Sequence, residues 1–370
     1  MAKSKKFSTP LTVFLAIACL IAGCVIGFLG AAVYDAMHTH SDEAPQVMVE
    51  GELQIHFLEL GNKYTGDCTY IKAGDTDILI DAGSRTTSVS TISTYIDQYV
   101  TDKKLEYVII THAHQDHYAG FTNTQGSLFE LYECENIIDF GTQTNQKETG
   151  TNMYSKYLAN REAEIADGAN YLPAPEHAGE EFDLGSGIVL TILDSYYYDH
   201  EAESENDYSV CTLFTYGTYK YLFTGDLEED GERYLIDAEY NDPDLLRDVQ
   251  LYKAGHHGSK TSSSAEFLEV ISPEIVCVCC CAGSSEYTKT NENMFPTQQF
   301  IDRIALYTDR VYVTTLCEDY NAGTFTSMNG NIIVSTTAGG VEVICSNDSR
   351  VLREWDWFKQ NRACPTAWKS

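Results

Sequence analysis

His112-Ala113-His114-Gln115-Asp116-His117 places four potential metal ligands within six residues. The apolar run 107–110 directly before it predicts a buried strand, so these side chains belong to the loop at the end of that strand. Imidazole nitrogens and a carboxylate suit zinc, manganese or iron. With ten histidines in the whole chain, a polar surface loop is a poor explanation for three of them here. The stretch therefore predicts a metal site.

The composition is that of a folded and strongly acidic protein. The 370 residues are 43% hydrophobic and carry a formal charge of -31 at pH 7. This length is compatible with two domains or with one large α/β enzyme. The acidic charge repels phosphate backbones at long range, whereas nucleic-acid binders usually present a basic face. We therefore expect a globular protein for which nucleic acid is a disfavoured partner.

The amino terminus predicts a membrane segment. Three lysines in residues 1–10 precede an uncharged, mostly apolar run at 11–34, which exceeds the roughly 20 residues that a bilayer requires. Lysines before the run and acidic residues after it place residues 1–10 in the cytoplasm. We expect a single-pass protein of the cell membrane with an extracellular body. A cleaved signal segment is the alternative, and Ile21-Ala22-Gly23-Cys24 resembles a lipobox, which would give a lipoprotein anchored through Cys24.

Beyond the apolar run, the chain reads as a linker at 35–50, one large domain at 51–348 and a tail at 349–370 that we expect to pack on the core. The domain opens in the order strand, strand, strand, helix, strand, which predicts an α/β layered fold. Predicted strands and hairpins lie at 53–57, 68–71, 78–80, 107–110, 211–223 and 331–344, and predicted helices at 89–100, 263–271 and 297–306.

Cysteines are frequent, and four of them lie in one β-branched run, Ile275-Val276-Cys277-Val278-Cys279-Cys280-Cys281. This pattern is typical of a core strand, and no second CxxC with zinc spacing accompanies it. We therefore prefer buried thiols to a metal cluster here. An exported body would also permit disulfides, whose pairing the sequence does not determine.

Further potential ligands follow other predicted strands. Asp81 comes after 78–80, Asp226 after 221–225, and His256-His257 after 251–252. An aspartate after a strand is more often a turn residue, so each signal alone is weak. Their recurrence at strand ends, where a layered α/β domain gathers its chemistry, makes the set strong.

With these motifs in this order along the chain, the segment from about Leu53 to Cys345 resembles the metallo-β-lactamase superfamily. The strings at 57–61, 80–83, 224–228 and 256–262 are most similar to the extracellular hydrolase domain of the ComEC DNA-uptake channel and its stand-alone, membrane-anchored relatives. The resemblance implies a four-layer αββα sandwich, here preceded by one transmembrane helix, with the metal site at one edge of the two sheets. It also implies hydrolysis of a phosphodiester.

The resemblance further implies two divalent ions, zinc or manganese. One ion would be held by His112 and His114, and the other by Asp116, His117 and one histidine of the His256-His257 pair, while Asp226 bridges them. We prefer His257 as the ligand and His256 as a group that supports a ligand or the transition state, although the reverse is open. The catalytic roles would then fall to Asp116, Asp226 and His256.

The surrounding residues have expected roles too. Asp81 would orient a ligand imidazole, because metal-bound histidines usually donate their other N–H to a carboxylate, although a plain turn aspartate is the alternative. The hydroxyl and ammonium groups of Ser259, Lys260 and Thr261 would bind an anionic substrate. Capping of the following helix would explain Ser262 or Ser263 equally well.

The chain departs from the family pattern at two places. The third-motif histidine is missing, and Asn206-Asp207-Tyr208-Ser209 stands at its position, so that Asn206 would be a weaker ligand or a supporting residue. His177 and His200 lie nearby in sequence and are expected at the surface. ComEC-like domains commonly carry His-Pro where this chain has Phe295-Pro296, which indicates a different substrate contact.

Three functions are compatible with these residues. The first is a membrane-anchored extracellular two-metal phosphodiesterase, and its acidic charge favours a small or short anionic substrate over duplex DNA. The second is a hydrolase of the same fold for a carboxylic ester, lactam or thioester. The third is a non-catalytic binding module. The oligomeric state does not follow from the sequence.

Overall fold

Two eight-stranded β-sheets organise residues 52–150 and 152–369, the residues that the computed structural model describes. The predicted membrane segment at 11–34 and the predicted linker at 35–50 lie outside these residues. Among the described helices, none combines the length and the apolar character needed to cross a bilayer. The coarse expectation of a mixed α/β protein with large sheets is confirmed.

The first sheet has the strand order β16-β15-β1-β2-β3-β4-β5-β6. Its central strands β1, β2 and β3 form an antiparallel meander, β3 to β6 run parallel, and β15 returns from the carboxyl-terminal end to pair antiparallel with β1. The bounds are β1 Leu53–Phe57, β2 Thr69–Ala73, β3 Thr76–Ile80, β4 Lys104–Ile109, β5 Glu133–Asp139, β6 Asn170–Pro173, β15 Ile332–Thr337 and β16 Gly340–Cys345.

The second sheet has the strand order β14-β13-β12-β11-β10-β9-β8-β7. Strands β7 to β10 are antiparallel, whereas β10 to β13 are parallel, so the carboxyl ends of β10, β11 and β12 lie at one edge. The bounds are β7 Glu181–Gly185, β8 Ile188–Ile192, β9 Thr212–Tyr216, β10 Tyr219–Phe223, β11 Leu251–Lys253, β12 Ile275–Ala282, β13 Val311–Asp319 and β14 Thr324–Ser327.

The α-helices of the described residues are short, except for one of 15 residues at Met153–Asp167. Helix α1, Ser88–Ile96, has Val89, Ile92 and Ile96 buried, as its periodicity predicts, and it ends at Ile96 rather than at residue 100. The others are α2 Gln115–Tyr118, α3 Leu128–Leu131, α4 Met153–Asp167, α5 Glu229–Leu235, α6 Pro243–Leu246, α7 Ala265–Ile271, α8 Gln298–Ile304 and α9 Asp356–Asn361; α1 is Ser88–Ile96. Ser264, not Ser262 or Ser263, caps α7, because its side chain accepts the backbone N–H of Phe267.

The two sheets pack against each other through apolar side chains. Residues of both sheets belong to one buried cluster, in which the rings of Phe57 and Phe223 stack with centroids 6.1 Å apart. A second cluster joins the second sheet to α7, α8 and the tail, where Phe358 and Trp368 are buried. The tail therefore packs on the core, as expected. The packing leaves the loops at the carboxyl ends of the strands as the place where polar side chains gather.

The cysteine-rich run forms strand β12, and Cys277, Cys279, Cys280 and Cys281 are buried there as free thiols. The buried-thiol interpretation is confirmed for this strand. Burial raises the pKa of the Cys280 thiol to about 12, so it stays protonated and unreactive at neutral pH.

Candidate metal centre

The predicted ligand residues meet at the edge where both sheets end their parallel strands. Asp81 follows β3, the 112–117 stretch follows β4, Asp226 follows β10, and the histidine pair follows β11. Because β3 pairs in parallel with β4, and β10 with β11, each sheet delivers two of these loops to the same edge. His112, His117, His257, Asp81 and Asp226 are all buried there.

One oxygen of Asp226 lies at the middle of the cluster. Its Oδ2 atom is 3.1 Å from Nε2 of His117 and 3.3 Å from Nε2 of His257. The Nε2 atoms of His112 and His256 each lie 4.0 Å from the same oxygen. Four imidazoles thus converge on a single carboxylate oxygen.

The remaining predicted ligands extend this cluster on both sides. His114 places its Nδ1 atom 3.0 Å from Nε2 of His112, so the ligand atoms of this pair are adjacent. Asp116 places Oδ2 3.3 Å from Nε2 of His257. The structure therefore brings all six predicted metal ligands together, and their assignment to individual ions stays a prediction.

The outer nitrogens of two histidines have partners that fix their orientation. Nδ1 of His117 lies 2.7 Å from Oδ2 of Asp81, the contact predicted for that aspartate. Asp81 adopts a left-handed backbone with φ 59°, and its side chain accepts the N–H of Thr111. Nδ1 of His112 contacts the hydroxyls of Thr111 and Ser209 at 3.1 and 3.4 Å. These contacts hold the imidazoles with Nε2 facing Asp226.

Asp67 is a member of the site that the sequence reasoning missed. Its Oδ1 lies 3.0 Å from Nδ1 of His257, and its Oδ2 forms an ion pair with the buried ammonium of Lys253. Asp67, His117, Asp226 and His257 are all buried, with potential ligand atoms within 4.8 Å of one another. The outer ring nitrogen of His257 lies 2.9 Å from the Cys279 carbonyl and also faces Asp67, so both groups orient this imidazole.

The sequence carries one signal for Asp67, namely the glycine before it. A Cβ at Gly66 would lie 2.8 Å from the backbone oxygen of Asp116 and 2.7 Å from Cβ of Ser84, so a glycine is required. This close approach lets the N–H of Asp67 donate to the Asp116 carbonyl at 3.0 Å. Read alone, Gly66-Asp67 looks like an ordinary turn before β2.

The charges of the cluster depend on one another. Burial disfavours the imidazolium of His117, yet the carboxylates of Asp226 and Asp81 raise its pKa well above the ordinary value. His257 behaves alike: despite burial, Asp226 and Asp67 raise its pKa. Burial opposes ionisation of Asp226, but the nearby His117 and His257 hold its pKa well below the usual range. A bound cation would take the place of the protons on these imidazoles.

The position of the missing third-motif histidine is occupied by Asn206, which is buried. Its Nδ2 lies 3.4 Å from Nδ1 of His256 and donates to Oε1 of Glu228 at 3.3 Å. Thr261 adds a hydroxyl 3.1 Å from the same His256 nitrogen. This placement favours a supporting role for Asn206 beside His256 over the weaker-ligand alternative, and the role stays a prediction.

The residues expected to bind substrate divide into two groups. The hydroxyls of Ser259 and Thr261 contact each other at 3.0 Å, and Ser259 is buried. Lys260 is exposed and lines an open cavity of about 460 Å³ together with Thr261 and acidic neighbours, among them Asp207 and Glu228. The structure therefore places Thr261 against His256, and both Thr261 and Lys260 line this cavity, whereas Ser259 is not among its lining residues.

Two aromatic residues border the cluster. Tyr287 is 56% exposed and donates its hydroxyl to Oδ2 of Asp116 at 2.7 Å. The ring of Phe295, which stands where the family commonly has histidine, has its centroid 5.7 Å from the rings of His256, His257 and Tyr287 alike. Sequence reasoning singled out the Phe295-Pro296 pair, but nothing in the sequence indicated Tyr287.

The cluster fits a divalent metal. The Nε2 atoms of His117 and His257 and Oδ1 of Asp226 are buried and have no hydrogen-bond partner among the described residues. Buried polar atoms without partners are costly unless something binds them. Imidazole nitrogens combined with carboxylate oxygens are the donor set of zinc and manganese sites.

Comparison with known proteins finds a family likeness in the first part of the domain. Residues 61–129, which include the 112–117 ligand stretch, match the model of the Metallo-beta-lactamase superfamily. The predicted resemblance to this superfamily is confirmed.

A particular relative agrees with the predicted ComEC-type likeness. The chain is 27% identical over 217 residues to "ComE operon protein 3" of Bacillus subtilis (strain 168), which covers 57% of this chain and 24% of that protein. The match therefore spans about a quarter of the relative's length.

Similar solved structures include the metallo-beta-lactamase fold protein YhfI from Bacillus subtilis, with 12% identity, a TM-score of 0.42 and coverage of 75% of this chain and 100% of the other. Unliganded yeast PDE1 has 11% identity and a TM-score of 0.43, with coverage of 71% and 98%.

Proposed function

We propose that this protein is a two-metal hydrolase of small or short phosphodiesters that acts at the outer face of the cell membrane. One observation carries the proposal: four imidazole Nε2 atoms surround Oδ2 of Asp226 at 3.1 to 4.0 Å. A carboxylate in this position can bridge two ions. We also propose the four-layer αββα arrangement that the family resemblance implies.

The ligands divide into two sets on either side of that carboxylate. His112 and His114 would hold one zinc or manganese ion, Asp116, His117 and His257 would hold the other, and Asp226 would serve both. When bound, such a pair of ions lowers the pKa of a shared water toward neutrality and neutralises charge on the attacked phosphate.

The chain's own residues prepare this site. Asp81 accepts the Nδ1 proton of His117, and the Cys279 carbonyl accepts that of His257 at 2.9 Å, with Asp67 nearby, which leaves each Nε2 lone pair free for a ligand bond. Lys253 compensates the charge of Asp67, so this buried carboxylate adds no net negative charge to the site. The Tyr287 hydroxyl donates to Oδ2 of Asp116 at 2.7 Å and so holds that carboxylate in place.

Charge and surroundings support a small substrate. The chain carries a formal charge of -31, and the cavity beside His256 is lined by four acidic residues and one lysine: Asp207, Glu228, Glu229, Asp230 and Lys260. Such a surface repels a long polyanion, whereas a single diester is neutralised locally by the site itself. The likeness to the ComEC-type hydrolase domain supports phosphorus rather than carbon as the attacked centre.

The activity test compares substrate classes on the purified protein loaded with Mn²⁺ or Zn²⁺. We expect hydrolysis of bis-p-nitrophenyl phosphate, weaker activity on single-stranded DNA and none on p-nitrophenyl acetate. Asp116→Ala should remove the activity, whereas Asp75→Ala, in an exposed turn, should retain it. Hydrolysis of the carboxylic ester alone would favour the ester, lactam or thioester alternative, and a purified protein without bound metal would favour a binding module.

The membrane location is proposed from the sequence of residues 11–34, outside the described part of the chain. Mass spectrometry of the mature protein tests it directly. An intact amino terminus at Met1 or Ala2 supports a retained anchor, whereas a lipidated Cys24 supports the lipoprotein form. Protease treatment of intact cells should remove the catalytic domain if it is extracellular.

A further inference from the structure

The two proposed ligand sets are unequal, because the ion beside Asp116 has one residue ligand more than the ion beside His114. The former has Asp116, His117, His257 and the shared Asp226. The latter has only its two histidines and Asp226, since the third-motif histidine is absent. The ion beside His114 therefore lacks the ligand that the third motif usually supplies, and another residue could take that coordination position.

The histidines between the motifs do not supply it. Nδ1 of His177 lies 2.6 Å from Oε2 of Glu180. His200 stacks on Tyr196 with ring centroids 3.8 Å apart. Both are held by surface neighbours within four residues in sequence.

His256 has the geometry of the substitute. Its Nε2 lies 4.0 Å from Oδ2 of Asp226, the same distance as Nε2 of His112. We infer that His256 is the third imidazole ligand of the ion held by His112 and His114, while its neighbour His257 serves the other ion. This inference rests on the proposed two-metal site and adds to it a ligand that the family pattern draws from elsewhere in the chain.

One turn contacts the outer nitrogens of both His256 and His112. This turn is the segment that replaces the third motif. Asn206 places Nδ2 3.4 Å from Nδ1 of His256, and Ser209 places its hydroxyl 3.4 Å from Nδ1 of His112. The Ser209 hydroxyl also accepts the backbone N–H of Asp226 at 3.0 Å. The segment at the third-motif position thus supports both imidazoles and the backbone of Asp226.

The outer nitrogen of His256 is supported in the manner of a metal ligand. Oε1 of Glu228 lies 3.4 Å from Nδ1, and the Thr261 hydroxyl lies 3.1 Å from it. The same arrangement, a carboxylate at Nδ1 with Nε2 facing Asp226, occurs at His117 and His257. A histidine acting only on substrate would not need its Nε2 directed at the bridging carboxylate.

Metal binding tests this inference without any substrate. The full-length protein is stripped with a chelator and titrated with Zn²⁺ by calorimetry and with Co²⁺ by visible absorption. Wild type should bind two equivalents. His256→Ala should retain one equivalent and bind the other more than about 100-fold more weakly or not at all, which exceeds the 10- to 100-fold effect of losing a supporting contact. His200→Ala, a surface histidine, should bind both ions normally.

A second variant covers the case in which His256→Ala fails to fold. Glu228→Gln removes the carboxylate at Nδ1 and should weaken the same equivalent by about 10- to 100-fold. Adding imidazole to a His256→Gly protein should restore the lost equivalent and its Co²⁺ absorption.

Two normal equivalents in His256→Ala would overturn the inference, even if turnover falls. So would loss of both equivalents from a folded variant, or a single equivalent in wild type. If wild type binds two ions but cleaves no phosphodiester, the proposed function fails while the metal titrations still decide the role of His256.

Discussion

Lys253 is expected to be essential for the stability of the metal-free protein. It is 3% exposed at the end of β11, and its ammonium pairs with Asp67 and lies 3.7 Å from Oδ1 of Asp226. It also donates to the Gly225 carbonyl at 3.1 Å. Burial disfavours this charge, yet the two carboxylates raise the pKa of Lys253 above its ordinary value. Lys253→Met preserves the volume and leaves both carboxylates without their cation.

The size of the effect follows from the burial of the pair. Removing one partner of a buried ion pair costs about 3–5 kcal/mol, because the other charge stays buried without compensation. Asp67→Asn should cost less, since Lys253 keeps the Gly225 carbonyl and Asp226. In the double variant both charges are gone, so its cost should fall short of the sum of the single costs by about 2–3 kcal/mol.

Urea unfolding of the four full-length proteins in EDTA measures this cycle. Lys359→Met is the matched control, because that side chain is 57% exposed and its partner Asp356 lies 3.5 Å away. The control should change the free energy of unfolding by less than about 0.5 kcal/mol. Additive single costs, or a cost of Lys253→Met similar to that of the control, would refute the buried-pair reasoning.

Four other outcomes are expected. Tyr287→Phe should lower kcat/KM for a phosphodiester about tenfold by removing one hydroxyl donor, while the free energy of unfolding, measured in urea, stays within about 0.5 kcal/mol. Burial raises the pKa of Glu232 from 4.5 to about 7, so the folded state retains a proton that the unfolded state releases, and stability is lost as pH rises through this range. The stability advantage of wild type over Glu232→Gln should therefore fall by about 3 kcal/mol between pH 4.5 and 7 in urea titrations. Chelation should abolish hydrolysis and lower the melting temperature, and an ion at about 100 times its Kd should restore about 2.7 kcal/mol. His256→Gly should raise the stability of the chelated protein by about 1 kcal/mol, because glycine adopts the left-handed backbone of this position without strain. His256→Ala keeps a Cβ and should not have this effect.

Local patterns in the sequence predict the strands well, because alternation and turn residues act within a few positions. The hairpin at Gly217-Thr218 and the strand of buried cysteines illustrate this. The pairing of distant strands does not follow from such patterns. Strand β1 pairs with β15, which is nearly the whole domain away in sequence, and neither strand contains a signal that identifies its partner. The order of strands and helices predicted a layered α/β fold, whereas the four-layer form was implied only by the family resemblance.

Some residues of the site could likewise be predicted from the sequence, and others could not. The ligands were recognisable because histidines and aspartates cluster at strand ends, where their positions relative to one another are set by neighbouring strands. Asp67, Lys253 and Tyr287 were not recognisable. Each acts through a contact with a residue far away in sequence: Asp67 with His257, Lys253 with Asp67, and Tyr287 with Asp116. Isolated polar residues of this kind carry no spacing that distinguishes them from surface residues.

The backbone at the histidine pair explains how two adjacent residues can serve one carboxylate. His256 and His257 have φ of 46° and 56°, and Gly258 follows with φ 77°. Adjacent side chains in a strand point to opposite faces, so an extended pair could not bring both rings to Asp226. The left-handed turn does so, with Nε2 atoms 4.0 and 3.3 Å from the same oxygen.

A left-handed conformation costs a non-glycine residue roughly 1–2 kcal/mol, and surrounding contacts must hold it in place. The N–H of His256 donates to Gly225 at 3.2 Å, and the carbonyl of Gly258 accepts from Thr297 at 2.9 Å. A Cβ at Gly258 would lie 2.9 Å from Cβ of Pro296, so the third residue of the turn must be glycine. The loop is thus fixed from both sides in a conformation that its own residues disfavour. Such strain has a physical reason if both imidazoles are needed at Asp226, and none if His256 were a solvent-facing residue beside a single ligand.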